Sequence, residues 1–260
     1  MLRILVERLR QGRRTLAFPP TSSPLPERFR GRPVLEAAKC VDGCRACADA
    51  CPTQAIILGG VGAGLDERLA LDLGRCLFCT DCVDACPTGA IAYSAEYRVA
   101  ASQRDDLVLR GTSQKLAQAM HTRLRRVLGR SLRLRQVSAG GCNACESEVN
   151  VLNTVVFDLG RFGIEFVASP RHADGLLITG PVTENMRLAL EKAYDAVPEP
   201  RLVIAVGACA ISGGPYAGHP EVHDGVAGIP VDLYVPGCPP HPLSILDGLL
   251  RLLGKIEATA

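Results

Sequence analysis

Twelve cysteines in a chain of 260 residues fall into a pattern that leaves none over. Eight lie in two runs, Cys40-Val-Asp-Gly-Cys44-Arg-Ala-Cys47-Ala-Asp-Ala-Cys51-Pro52 and Cys76-Leu-Phe-Cys79-Thr-Asp-Cys82-Val-Asp-Ala-Cys86-Pro87. The other four are Cys142 and Cys145, a Cys-x-x-Cys pair, and Cys209 and Cys238, each alone in a turn rich in Gly or Pro. The spacing C-x2-C-x2-C-x3-C-P belongs to thiolates that wrap cubane iron–sulfur clusters: the three close cysteines hold one cluster, and the cysteine before Pro crosses to the other. One predicted 4Fe-4S cluster therefore takes Cys40, Cys44, Cys47 and Cys86, and a second takes Cys76, Cys79, Cys82 and Cys51. Cys40 stands one residue further from Cys44 than the pattern prescribes, so its loop must bulge. A zinc site is the competing reading, and the Pro after each fourth Cys, the repetition and the lack of His ligands weigh against it.

Disulfides would suit a small secreted chain better than this one. The first 20 residues scatter five Arg among the apolar positions and run into Pro19-Pro20 without an apolar core, which is not a secretory signal. Arg13-Arg14 faintly resembles a twin-arginine signal but has no apolar stretch behind it. No apolar run approaches the roughly 18 residues of a membrane span. A reducing, cytoplasmic location is the expectation.

The net charge of +2 conceals an asymmetry. Residues 1–32 carry net +6 and residues 115–135 net +7, which leaves −11 for the remainder. Basic runs raise nucleic acid as a partner, but neither run is interleaved with aromatics and the chain has no Trp, so the stacking platform is missing. Membrane headgroups and acidic partner subunits are the expected counterparts.

Along the chain, Met1 to Arg10 reads as a short amphipathic helix with Leu2, Leu5, Val6 and Leu9 at helical spacing. It suits either an interface with lipid or a partner, or packing on its own domain. Pro19, Pro20, Pro24 and Pro26 impose an extended arm as far as Arg32, so residues 1–32 form one segment. Residues 33–97 form the two-cluster domain. Within it Cys44, Cys47 and Cys51 recur 35 residues later, and Cys-Pro-Thr-Gln-Ala-Ile (51–56) returns as Cys-Pro-Thr-Gly-Ala-Ile (86–91). Each half is too small to hold itself together, so cluster ligation supplies most of its folding free energy. Residues 98–130 read as a basic connector, helical from Ser113 to Leu128 because Leu116, Met120, Leu124 and Leu128 share one face.

Residues 131–260 read as an α/β domain. Strands are expected at Leu132–Val137, Ile164–Val167, Leu176–Thr179, Leu202–Val206 and Leu233–Val235, and helices at Glu148–Leu159, Glu184–Ala196 and Ser244–Ile256. Strand–helix alternation implies a parallel sheet covered on both faces, whose site lies at the carboxyl ends of the strands. Three of the strands feed into Gly-rich turns that carry Cys142 and Cys145, Cys209, and Cys238, so four thiolates converge there on a third cluster. Three unrelated turns, each with a buried structural Cys, are the bland alternative.

These residues resemble two families joined in one chain. Gly141-Cys142-Asn-Ala-Cys145-Glu-Ser-Glu148, Leu177-Ile-Thr-Gly-Pro-Val-Thr183, Gly207-Ala-Cys209-Ala-Ile-Ser-Gly-Gly214 and Val235-Pro-Gly-Cys238-Pro-Pro240 are similar to the small electron-transfer subunit shared by membrane-bound NiFe hydrogenases and respiratory complex I. Residues 1–97, with the arm Phe29-Arg-Gly-Arg-Pro33, are similar to the two-cluster ferredoxin subunit of formate hydrogenlyase and complex I. The resemblance implies a flavodoxin-like parallel-sheet domain preceded by a small α+β bacterial-type ferredoxin domain. It also implies an electron-relay role beside a separate large catalytic subunit and membrane-arm subunits, peripheral on the inner face of the cytoplasmic membrane. A ferredoxin or a formate dehydrogenase iron–sulfur subunit is the implied redox partner. Cys142-x-x-Cys145 follows the hydrogenase pattern, whereas complex I subunits have two adjacent Cys. After Gly-Cys-Pro-Pro the family often has Arg and then, two residues later, an acid; this chain has His241 and Leu243.

No catalytic residue is expected in this chain itself, since a NiFe centre would need further Cys-x-x-Cys pairs and every Cys is assigned. Glu146 and Glu148 open the helix after the first ligand pair, where acids suit the dipole. Capping accounts for Glu146, while Glu148 is equally a candidate for moving protons. His241 reads either as a protonatable neighbour of the third cluster or as a surface residue of no consequence. The rival functional readings are a complex I-like quinone or ferredoxin oxidoreductase and a soluble electron carrier with no fixed complex.

Overall fold

The computed structural model describes residues 2–20, 25–60, 64, 68–111, 113–128 and 131–256. Met1 of the predicted helix, Pro24 of the arm and Arg130 of the basic connector lie outside them.

The chain opens with α1 (Leu2–Gln11), whose apolar and Arg stripes form as the periodicity requires. None of its residues is buried, and Leu9 is 84 % exposed. This excludes the reading in which the helix packs its apolar face on its own domain. The arm is pinned further on, where the amides of Gly31 and Arg32 donate to the carbonyls of Ser94 and Glu96. The Glu96 carbonyl occupies the space a side chain at position 31 would need, so only glycine fits there.

In the two-cluster region the internal repeat is visible as structure. Each half contributes a strand, a short helix and a second strand. These are β1 (Pro33–Leu35), α2 (Ala46–Asp49) and β2 (Ile56–Leu58) in the first half, then β3 (Leu69–Asp72), α3 (Asp81–Ala85) and β4 (Ile91–Tyr93) in the second. The halves exchange partners: β1 pairs antiparallel with β4, and β2 with β3. Leu35, Leu69, Leu71, Leu73 and Ile91 then bury into one shared core, which neither half could enclose alone.

The segment read as a helical connector is largely not helical. A fifth strand, β5 (Val108–Arg110), adds antiparallel to β3. Beyond it the chain runs as a strap: Ala117 N–H donates to the Ala100 carbonyl, Gln118 N–H to Ser102 Oγ and Met120 N–H to the Leu252 carbonyl. Those amides are committed to distant partners and cannot close i→i−4 bonds. Only α4 (Thr122–Leu128) remains of the expected helix.

The last region holds a five-stranded parallel sheet of β6 (Leu132–Ser138), β7 (Ile164–Phe166), β8 (Gly175–Thr179), β9 (Leu202–Val206) and β10 (Leu233–Val235). Their spatial order is β10-β9-β8-β6-β7, the flavodoxin-like arrangement, with its switch point between β6 and β8. Continuous burial of β8 and β9 matches their unbroken apolar sequence. Helices α5 (Ala144–Val151), α6 (Glu184–Ala196), α7 (Ala208–Ser212) and α8 (Pro242–Leu252) complete the domain. Two of the expected helices are displaced. Asn143 adopts a left-handed conformation (φ 70°) and starts α5 at Ala144, four residues earlier than expected. After Val151 the amides of Leu152, Asn153 and Thr154 turn to i−3 carbonyls and end the helix. The third expectation, Ser244–Ile256, begins at Pro242 and ends at Leu252.

The two regions are not joined by a loose tether. Ala101 exchanges both backbone hydrogen bonds with Tyr234 on the β10 edge, at 3.0 and 2.9 Å. Ser212 Oγ donates to the Gly74 carbonyl at 2.8 Å. Ala205, Ala210 and Ile211 of the α/β part share a core with Leu71, Leu73 and Leu107.

Candidate iron–sulfur relay

The twelve thiols gather in three sets. Burial pushes Cys40 and Cys47 up, and Cys47 is raised further by Cys86, Cys40 and Cys44, so these four face one another. Burial pushes Cys82 up to about 12, with further contributions from Cys76, Cys51 and Cys79, and pushes Cys76 up to about 11. The fourth member of each set thus comes from the opposite run. Cys145 is raised by burial and then by Cys209, Glu146, Cys238 and Cys142, and Cys209 is pushed up to about 11 by burial, Cys238 and Cys142. All twelve are free thiols.

The sets abut in order. Cys47 of the first set acts on Cys82 of the second, and Cys79 of the second acts on Cys238 of the third. Within the third set Cys142 and Cys238 are exposed.

Local backbone explains how each loop brings sulfur inward. The extra residue before Cys44 is taken up in a turn, with Cys44 N–H donating to the Val41 carbonyl and Gly43 at φ 74°. In the second loop Phe78 and Thr80 are left-handed at φ 56° and 79°, and the Phe78 amide donates to Cys76 Sγ at 3.3 Å. At the sheet edge Gly207 has φ 92°, and a Cβ there would lie 2.5 Å from Cys145 Sγ. Glycine is required by contact as well as by conformation.

The repeated Cys-Pro-Thr-x-Ala-Ile segments carry a function not assigned from the sequence. The amides of Ala55 and Ala90 donate to Cys51 Sγ and Cys86 Sγ at 3.2 and 3.3 Å. Thr53 and Thr88 Oγ1 lie 3.9 and 3.8 Å from Cys51 Sγ and Cys86 Sγ, and the Thr53 hydroxyl also donates to the Arg75 carbonyl. Burial pushes Cys86 up, but the backbone donors at Thr88 and Ala90 and the Thr88 hydroxyl outweigh it and hold this thiol below its ordinary value. Tyr93 Oη sits 3.6 Å from Cys76 Sγ.

This donor set suits iron–sulfur chemistry. Four soft sulfur ligands converge in each set and amide N–H groups point at sulfur, an arrangement that favours thiolate. Burial first, and then mutual repulsion, raises most of the thiols, and bound iron would offset both.

Glu146 does not act as a simple cap. It is 5 % exposed, and its Oε1 accepts from Ser138 Oγ and Thr179 Oγ1, both at 2.6 Å. Burial would raise its carboxyl, but those hydroxyls and a backbone amide hold it below the usual carboxylate range. Glu148 is half-buried, and burial alone pushes it up. It lines a cleft of about 260 Å³ with Phe29, Arg30, Phe78, Cys238 and His241. His241 is half-buried and lines the same cleft as Cys238, so it is not a surface residue. Its Nδ1 accepts from the Leu243 amide at 3.1 Å and caps α8, while its ring meets Phe29 edge-on with centroids 5.3 Å apart. Burial holds it below the ordinary histidine value.

Residues 142–252 match the family described as the 20 kDa subunit of NADH ubiquinone oxidoreductase, and residues 39–90 match the 4Fe-4S dicluster domain. The chain is 44 % identical over 140 residues to formate hydrogenlyase subunit 7 of Escherichia coli, covering 54 % of this chain and 55 % of that protein. It is 42 % identical over 130 residues to a protein of Pyrococcus furiosus described as a membrane-bound hydrogenase subunit, covering 50 % of this chain and 78 % of the other. An NADH-quinone oxidoreductase subunit of Heliobacterium modesticaldum is 45 % identical over 124 residues, 47 % of this chain and 71 % of its own length. Among the described residues no helix is long and apolar enough to cross a membrane.

Proposed function

The chain belongs to the family of the 20 kDa subunit of NADH ubiquinone oxidoreductase, preceded in the same polypeptide by a 4Fe-4S dicluster domain, and on that footing we propose that it is the iron–sulfur electron-transfer subunit of a membrane-associated hydrogenase complex of the formate-hydrogenlyase kind. It holds three 4Fe-4S clusters: one on Cys40, Cys44, Cys47 and Cys86, one on Cys76, Cys79, Cys82 and Cys51, and one on Cys142, Cys145, Cys209 and Cys238. The observation that carries this reading is the unbroken succession of thiol sets, from Cys47 beside Cys82 to Cys79 beside Cys238.

When bound, such clusters accept and release single electrons. The residues of this chain do the rest. The swapped strand pairing and the shared core fix the spacing of the first two sets, and the Ala101–Tyr234 pairing fixes the second set against the third. Burial of Cys47, Cys76 and Cys82 keeps water from the middle of the path. Amide donors at Cys51, Cys76 and Cys86 stabilise charge on sulfur. Exposure of Cys142 and Cys238 leaves the third set to be covered by a large catalytic subunit, a poor arrangement for a free-standing carrier. Burial pushes the Glu148 carboxyl up beside that face, which suits it to exchange a proton there. The charge asymmetry supports a peripheral position on the inner face of the cytoplasmic membrane, docked on acidic membrane-arm subunits.

The Cys142-x-x-Cys145 pair favours a hydrogenase-type partner; identity to an NADH-quinone oxidoreductase subunit supports a complex I-like second reading. Purification of the native complex with nickel analysis separates them. Nickel stoichiometric with this chain, and hydrogen-dependent reduction of its clusters, is the expected result. A nickel-free large subunit with quinone-dependent oxidation of the clusters contradicts the first reading and supports the second.

A further inference from the structure

At the switch point of the sheet, β6 ends at Ser138 and β8 at Thr179, and the two hydroxyls converge on a single oxygen of one buried side chain, Oε1 of Glu146, at 2.6 Å each. Glu146 reaches that point from the first turn of α5, next to Cys145 in sequence. Gly141 packs tightly on Gly180, 3.1 Å from a Cβ built at position 141, and borders Glu146 Oε1 at an ordinary contact distance of 3.6 Å. The carboxylate thus joins both central strands to the helix that carries the ligand pair. Its charge also reaches the thiols, since Glu146 contributes at both Cys145 and Cys209. Among the described residues no Lys or Arg forms an ion pair with it; its neutralising contacts are two neutral hydroxyls and a backbone amide. An anion compensated only by neutral donors in a buried site keeps a field that a paired carboxylate would lose.

We propose that Glu146 is a positioning residue that sets the reduction potential of the group held by Cys142, Cys145, Cys209 and Cys238, acting through a fixed negative charge at the β6–β8 switch point. The inference rests on the cluster assignment made above for those four cysteines. A fixed anion next to a one-electron centre opposes arrival of the electron, so it lowers the potential of the third site relative to the same site without the charge. The effect falls mainly on this site, because Glu146 adjoins Cys145 and contributes at both Cys145 and Cys209.

Both hydroxyls bond Oε1, so Glu146→Gln keeps the accepting oxygen and removes only the charge, while Glu146→Asp keeps the charge and shortens the tether. The test is a redox titration of the anaerobically purified full chain followed by electron paramagnetic resonance. In Glu146→Gln the third signal should titrate at higher potential, by a tenfold change in the reduced-to-oxidised ratio, about 59 mV for a one-electron couple. Signals from the first two sites should not move. Glu146→Asp should stay within about a threefold change of the wild-type ratio, about half that shift on the same scale. An unshifted third signal in Glu146→Gln, or a larger shift in Glu146→Asp than in Glu146→Gln, overturns the inference and leaves Glu146 a purely structural tie. Absence of a third signal from the wild-type chain overturns the cluster assignment instead, and iron content on the same sample separates that failure from the other.

Discussion

Gly207 and Cys145 are packed so closely that a single methyl group on Gly207 would lie 2.5 Å from the Cys145 sulfur. The contact joins the turn after β9 to the first turn of α5, so two of the three turns that carry the third thiol set are held at the minimum separation the backbone permits. Gly207 also sits at φ 92°. Gly207→Ala should therefore displace Cys145 and abolish the third cluster while sparing the first two. Iron content should fall by about one third, that is by four of about twelve atoms. Full iron content in this variant would show that the close approach is not what places Cys145.

Swapped strands and swapped ligands make the first two sites interdependent. Cys51→Ser should remove the signal of the site built mainly from the second run, and Cys86→Ser that of the site built from the first. Electron paramagnetic resonance of each variant reads the outcome. Loss of the sequence-adjacent site in both variants would contradict the crossed grouping.

His241 gives a pH dependence whose sign follows from its environment. Burial holds the folded imidazole below its ordinary 6.5, so the unfolded chain takes up a proton that the folded chain refuses. The stabilisation is complete above pH 6.5 and is lost as pH falls through the lower folded value. His241→Asn keeps a capping side chain without a titrating group, so its thermal midpoint should fall less steeply over that interval. His241→Ala should lose the cap as well, at a cost of about 1 kcal/mol. Equal slopes for wild type and His241→Asn in thermal unfolding would remove His241 as the source.

The exposed stripe of Leu2, Leu5, Val6 and Leu9 makes α1 a contact surface and not part of the core. Leu16 is different. Its amide donates to Val156 and its carbonyl accepts from Arg161, so the chain is anchored to the α/β part just beyond the helix. Deleting residues 1–11 should weaken association with membranes and partner subunits at moderate ionic strength and leave iron content unchanged, because one basic amphipathic helix gives only weak attachment by itself. Raising the salt should narrow the difference to the extent that electrostatics supplies the helix's contribution. Undiminished membrane association of the truncated chain, measured by sedimentation of membranes, would contradict the docking role.

Much of the parallel sheet was legible in the sequence because β8 and β9 are continuous apolar runs; Leu202–Val206 and Leu233–Val235 hold to the residue. The thiol sets were legible because ligand spacing is a local signal. The strap after β5 was not. Leu116, Met120 and Leu124 repeat like a helix, yet the amides of Ala117 and Met120 bond Ala100 and Leu252, partners that periodicity does not encode. Nor was the setting of Glu146, whose donors Ser138 and Thr179 lie 8 and 33 residues away and meet it only once β6 and β8 are adjacent. The capping role of His241 was not legible because it depends on where α8 begins. The roles of Thr88 and Ala90 had a visible trace in the repeated Cys-Pro-Thr-x-Ala-Ile segments, but repetition alone does not say that an amide faces sulfur.

The account stands on three clusters held by twelve thiols in one polypeptide. Iron and acid-labile sulfide, measured on the full chain after anaerobic reconstitution and paired with spin quantification of the reduced protein, test that most directly. The account predicts about twelve iron and about twelve sulfide per chain, with three interacting paramagnetic centres. A reproducible value near eight, with two centres and with Cys142, Cys145, Cys209 and Cys238 all reactive toward a thiol reagent, would contradict it.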